Sequence, residues 1–200
     1  MALNTPHGVS HVVIDFLNTV ACPACRVGDA LESTVSLRAW LRTAHPLLGG
    51  IRSEAELDDL RRLRGTLREV IQATVDSIAP PKRAVKAVNA AAARFQPLSA
   101  LAWSRGSWIR VQMPPDADPA DRLAGEVARA AINLLTGPER SKVMACHGPG
   151  CAHFLLARTT TQLWCSSSGC GNRVRVARHY RMSRKSGKVA GRAPRVAGTP

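Results

Sequence analysis

Four cysteines near the C-terminus, Cys146-x4-Cys151-x13-Cys165-x4-Cys170, constrain this chain more than any other feature. Two close pairs, each giving two ligands from one turn, and a short connection between them are what a tetrahedral thiolate zinc site requires. Gly148, Pro149 and Gly150 suit the first turn, and Ser166 to Gly169 the second. Phe154, Leu155, Leu156 and Trp164 can build a small hairpin core beside the metal. So small a module cannot hold together by burial alone. Zinc binding, worth about 10–16 kcal/mol in comparable peptides, would supply most of its folding free energy. The expectation is one structural Zn2+ on Cys146, Cys151, Cys165 and Cys170. Four thiolates leave no open position for catalysis. His147 and His153 read as exposed loop histidines.

The metal-ligand pattern opens directly onto a basic stretch. Arg173, Arg175, Arg178, Arg181, Arg184 and Lys185 follow the last cysteine, and residues 171–200 hold nine Lys/Arg and no acid. The net charge is +14, of which residues 138–200 carry +11 and residues 1–137 only +3. Charge concentrated in this way implies a polyanionic partner, nucleic acid ahead of a membrane surface. Asn172 can cap a helix, Val174, Ala177 and Tyr180 can face the hairpin, and the arginines then form one basic side. Such a helix beside a rigid zinc core suits a groove of double-stranded DNA. The Gly-, Pro-, Lys- and Arg-rich tail, residues 185–200, lacks apolar groups to pack and is expected to be disordered when free.

Residues 1–140 read as a helical domain. Ser53-Glu54-Ala55-Glu56 is a capping-box pattern, followed by a stripe of Leu57, Leu60, Leu63, Leu67, Val70, Ile71, Thr74 and Ile78. Arg61, Arg62, Arg64 and Arg68 lie mainly off that stripe, on a face expected to be solvated. Further helices are predicted over Val35 to Ala44, Lys82 to Phe95, and from the Asp118-Pro119 cap to Thr136. Ala100 to Val111 reads as a hairpin about Arg105-Gly106, while His11 to Asn18 fits strand or helix. The fold class is mainly α with some β (α+β): a helical domain with a small hairpin, a treble-clef-like four-cysteine finger over residues 141–184, and the tail.

No signal peptide and no transmembrane-length run is visible, since Asp15 and Asn18 break the first apolar stretch. The expected compartment is the cytoplasm, where thiols stay reduced and metal is favoured over disulfides. Asp15 and Asn18 either pair structurally, with an arginine such as Arg26 or Arg64, or line a ligand pocket. Cys22-Pro23-Ala24-Cys25 is a redox pair, half a metal site, or two reduced loop cysteines. His7, His11 or His45 can complete that half-site only if folding brings them close. No nucleophile–base pair, phosphate loop or carboxylate dyad stands out, so the chain is not expected to be an enzyme.

Trp164-Cys165-Ser166 with Cys170-Gly171-Asn172-Arg173 resembles the bacterial CGNR zinc-finger family. Asp15-Phe16-Leu17-Asn18-Thr19 resembles the opening motif of the ABATE-type domain that precedes that finger, and Asp29-Ala30-Leu31, Trp40-Leu41 and the Leu63-Arg64 region fit its course. The resemblance implies the helical architecture, the zinc and a stress-linked transcription regulator that binds DNA. The N-terminal domain would then sense a small-molecule ligand or mediate homodimerisation. Two other functions stay open. One is an RNA-binding or ribosome-associated zinc protein, for which only Trp164 and Tyr180 offer stacking surfaces near the basic stretch. The other is an enzyme in the helical domain with a purely structural finger.

Overall fold

The computed structural model describes residues 9–45, 53–96, 98–113 and 118–190. Its helices are α1 (Val9–Leu17), α2 (Thr34–Ala44), α3 (Glu54–Val75), α4 (Lys82–Ala93), α5 (Pro119–Thr136) and α6 (Asn172–Ala190). Two antiparallel hairpins complete it, β1 (Leu98–Ser104) with β2 (Ser107–Met113) and β3 (Val143–Ala145) with β4 (Phe154–Leu156).

Caps fix the helix starts. The Ser53 hydroxyl accepts from the Glu56 N–H while the Glu56 carboxylate accepts from the Ser53 N–H, a closed capping box for α3. Ser33 caps α2 by accepting from Ser36, and Asp118 caps α5 by accepting from Ala120. Val12 to Leu17, ambiguous in sequence, is helical. Val13, Phe16 and Leu17 recur at helical spacing and are fully buried. They meet α5, whose small residues Ala124, Ala128 and Ala131 let neighbouring helices approach. Leu57, Leu60, Leu67 and Ile71 of α3 close the core from another side. Each fully buried side chain of this kind contributes about 1.5–3 kcal/mol.

The expected α3 stripe holds as far as Ile71. Ile78, by contrast, lies past the helix end and is exposed. The arginines depart from expectation. Arg64 is only 9% exposed. It grips both carboxylate oxygens of Asp29, at 2.6 and 2.8 Å, and donates to Thr19 Oγ1 at 3.1 Å. Arg61 donates to the Leu31 and Glu32 carbonyls, and Arg68 to those of Leu17 and Ala152. Only Arg62, paired with Asp59, fits the solvated face. A guanidinium carries five donors in a planar fork, so it can tie loop carbonyls together where a lysine could not.

The first hairpin turns at Arg105 and Gly106, both at positive φ, as a two-residue turn matched to strand twist demands. Trp103 and Trp108 face each other across it at 4.9 Å, edge to face, yet are 60% and 65% exposed. The second hairpin points inward. Val143 and Phe154 belong to the same buried cluster as the helices, so packing crosses the boundary drawn at residue 140.

Candidate metal centre

The sulfurs of Cys146, Cys151, Cys165 and Cys170 lie within 4.8 Å of one another. Cys151 and Cys165 are 3.8 Å apart, and Cys165 and Cys170 3.6 Å. A tetrahedron with Zn–S bonds of about 2.3 Å has edges of about 3.8 Å, so the set has the dimensions of a zinc site. Its electrostatics agree. Burial raises the Cys146 thiol, but N–H groups of Cys165 and Gly148 donate to its sulfur and leave its pKa lowered. Burial and then the neighbouring Cys170 and Cys146 thiols push Cys151 up to about 11, and Cys165 is raised further still. Four thiols this close cannot all ionise without a cation between them, and a divalent metal would supply it.

The turns are shaped for close approach. A Cβ on Gly148 would stand 2.9 Å from the Cys170 sulfur, inside contact distance, so only glycine fits there. Gly150 has φ +67, the left-handed region. Leu155, Met144 and Trp164 pack around the cysteines, whereas Phe154 leaves the expected finger core for the main one. Ser166, not Asn172, caps the last turn. Its hydroxyl accepts from Gly169, and Asn172 already has helical dihedrals.

α6 leaves the metal centre and runs outward. Arg173 stays close, donating to Cys170 Sγ at 3.1 Å. Arg175 donates to the Ser167 carbonyl, and from Arg175 to Arg184 every residue is exposed. Ala177 and Tyr180, expected to face the hairpin, do not. Tyr180 is 65% exposed, because the helix axis carries it away after one turn. Lys185 lies on the helix with its side chain outside the described residues, as do those of residues 186–190. Thus the first six residues of the expected tail continue α6, and residues 191–200 lie outside the described set.

Residues 10–138 match the model of the ABATE family, described as "Putative stress-induced transcription regulator". Residues 142–182 match that of the CGNR zinc finger. The chain belongs to the ABATE family. No curated protein matches it at a significant level.

In this ABATE chain the opening motif is tied into the fold. Asn18 Nδ2 donates to the Phe154 carbonyl at 2.9 Å, and Asn18 Oδ1 accepts from the Phe154 N–H at 2.8 Å. Asp15 sits 3.3 Å from His45 Nε2 rather than beside Arg26 or Arg64. The family segment Asp29-Ala30-Leu31 supplies the Arg64 clamp, with the Asp29 carboxylate also accepting from the Leu31 N–H. Burial raises the Asp29 pKa, but Arg64 and the Leu31 N–H outweigh it and the net shift is downward.

Two cysteines and a histidine of the ABATE chain are placed differently from what local sequence suggests. Cys22 and Cys25, joined to each other, are no isolated loop pair but lie against the finger, with Cys25 Sγ 3.5 Å from Cys151 Sγ. Of the histidines considered as their partners, His45 is engaged with Asp15, His7 lies outside the described residues, and so does the His11 side chain. The histidine that does reach Cys22 and Cys25 is His153, expected to be exposed, whose Nε2 is buried. Its place two residues after Cys151 is the one hint of this in the sequence. His147 is exposed, as expected.

Proposed function

We propose that this ABATE-family chain is a zinc-dependent transcription regulator that docks on double-stranded DNA through α6. The observation that carries the reading is the placement of charge. Arg175, Arg178, Arg181 and Arg184 are all exposed on one helix that leaves the four-cysteine centre, and no acid follows Glu139. Arg173 faces the cysteines instead and acts as a link between helix and metal centre. An exposed guanidinium can pair with phosphates or with guanine edges. Zinc, held by Cys146, Cys151, Cys165 and Cys170, would fix the angle at which α6 projects. The alternative of single-stranded RNA is weakened because Trp164 packs on the cysteine cluster and leaves Tyr180 as the stacking surface nearby.

The helical domain in this reading is non-enzymatic and cytoplasmic. An apolar groove of about 500 Å³ between α3, α4 and α5, lined in part by Val70, Val88, Ile132 and Leu135, is the place for a small-molecule effector. The exposed Trp103–Trp108 hairpin is the place for a homodimer contact. Among the described residues no helix is long and apolar enough to cross a membrane. Fluorescence anisotropy on labelled random-sequence duplexes at low salt tests the central claim. Submicromolar binding that weakens with salt is expected, and no binding to any duplex overturns it.

A further inference from the structure

The segment Cys22–Val27 forms its own tight knuckle. Cys25 N donates to the Cys22 carbonyl at 2.8 Å, and Cys22 N to the Val27 carbonyl at 2.9 Å. This knuckle is pressed on the finger. Cys25 Sγ lies 3.5 Å from Cys151 Sγ and 3.8 Å from Cys170 Sγ, and Cys22 Sγ 4.0 Å from Cys151 Sγ. A Cβ on Gly150 would stand 3.3 Å from the Ala24 Cβ, tighter than ordinary contact, so the two knuckles approach closely. The ligand atoms of Cys22, Cys25, Cys151 and His153 all fall within 4.8 Å of one another.

We propose that in its reduced state the chain holds a second thiophilic divalent ion, zinc, on Cys22, Cys25 and His153, with the Cys151 thiolate bridging it to the first. Three observations converge on this. The sulfur separations from Cys151, 3.5 and 4.0 Å, bracket the edge of about 3.8 Å of a zinc tetrahedron. His153 Nε2 is buried without a hydrogen-bond partner, while the Val20 backbone engages the ring, so the free nitrogen is left for another partner. A metal-bound imidazole is held in this way, one nitrogen on the ion and the other on a backbone group. Third, Arg173 Nη2 reaches both halves, 3.1 Å from Cys170 Sγ and 3.8 Å from Cys25 Sγ. Six thiolates on two divalent ions carry an excess negative charge, and a guanidinium between them offsets it.

The structure joins Cys22 to Cys25, and that bond accounts for two sulfurs but leaves His153 Nε2 unpartnered. In the dithiol the two thiols lose their protons to solvent as the ion binds, and no oxidant or reductant takes part in the binding step. The second ion would clamp the loop after α1 to the finger. It is independent of what α6 binds.

The test is native mass spectrometry with elemental analysis on the full-length protein kept under a thiol reductant. Two zinc ions per chain and six reduced cysteines are expected. Cys22→Ser/Cys25→Ser and His153→Gln should each retain one ion, on the four-cysteine centre, with an unchanged far-ultraviolet spectrum. Cobalt replacing zinc should give thiolate charge-transfer absorption that rises in two steps in the native chain and in one step in either variant. A single ion per chain in the reduced native protein overturns the proposal. So does an unchanged count of two in either variant.

Discussion

Asn18 and Phe154, 136 residues apart, exchange a pair of hydrogen bonds, side-chain amide to main chain, as two strands would. The amide that follows α1 thus acts as a strand edge for β4. Asn18→Ala leaves a buried N–H and C=O unpaired and should cost about 1–3 kcal/mol. Asn18→Asp keeps the acceptor but sets a carboxylate oxygen against the Phe154 carbonyl, and should cost at least as much. Urea denaturation read by tryptophan fluorescence checks both.

Phe154 and Val143 fill the same core as α1 and α3. A chain ending at Pro138 therefore loses packing as well as the finger, although its helices bury most of a core by themselves. Phe154→Ala should cost about 3–5 kcal/mol. The truncated chain should stay helical by circular dichroism yet melt well below the full-length protein. Equal melting temperatures would show that the two parts are energetically separate.

Metal loading should be coupled to proton release. With Cys151 raised to about 11 and Cys165 raised too, both are protonated in metal-free protein at neutral pH. Zinc must expel these protons, so its affinity rises with pH and falls in acid. Calorimetry at neutral pH in buffers of different ionisation enthalpy should count at least these two. Cys165→Ser should lose the ion from the four-cysteine centre and the fold around it.

Asp29 has a depressed pKa through Arg64 and the Leu31 N–H, set against burial. The sign follows: its contribution is fully present above the unfolded carboxylate value of about 3.9 and is lost as pH falls through the lower folded value. Removing it strands a buried guanidinium. Asp29→Ala should cost about 3 kcal/mol at neutral pH, and the loss should shrink in acid. Thermal melts of both proteins between neutral pH and acid measure the convergence.

For DNA, each phosphate neutralised on a duplex adds about 0.9 to the log–log salt slope. Replacing Arg175, Arg178 and Arg181 with alanine should weaken binding and flatten that slope. Equal losses on all sequences mark phosphate contacts, and loss on one sequence marks base contacts. Anisotropy titrations at several salt concentrations separate them.

The cysteine quartet, the capping box at Ser53, the Asp118 cap and the Arg105-Gly106 turn were legible because each is written in nearby residues. Arg64, His153 and the Cys22–Cys25 pair were not. Asp29 lies 35 residues from Arg64, and Cys151 lies 129 from Cys22, where no local pattern reports on them. The Val20 backbone that engages His153 is as remote in the chain. Asn18 was half legible. A polar residue in an apolar segment must be satisfied somewhere, but sequence does not say that the partner is a strand of the finger.

From Arg175 onward α6 is exposed as far as Arg184, so little outside the helix holds it in shape among the described residues. A lone helix of this length is marginal in water, and cations three and four positions apart along it repel one another. Added salt relieves that repulsion while it competes for a polyanion. If α6 docks on DNA as proposed, the same ions that would loosen that complex would firm up the free helix, and part of the binding free energy at low salt would go into holding it wound.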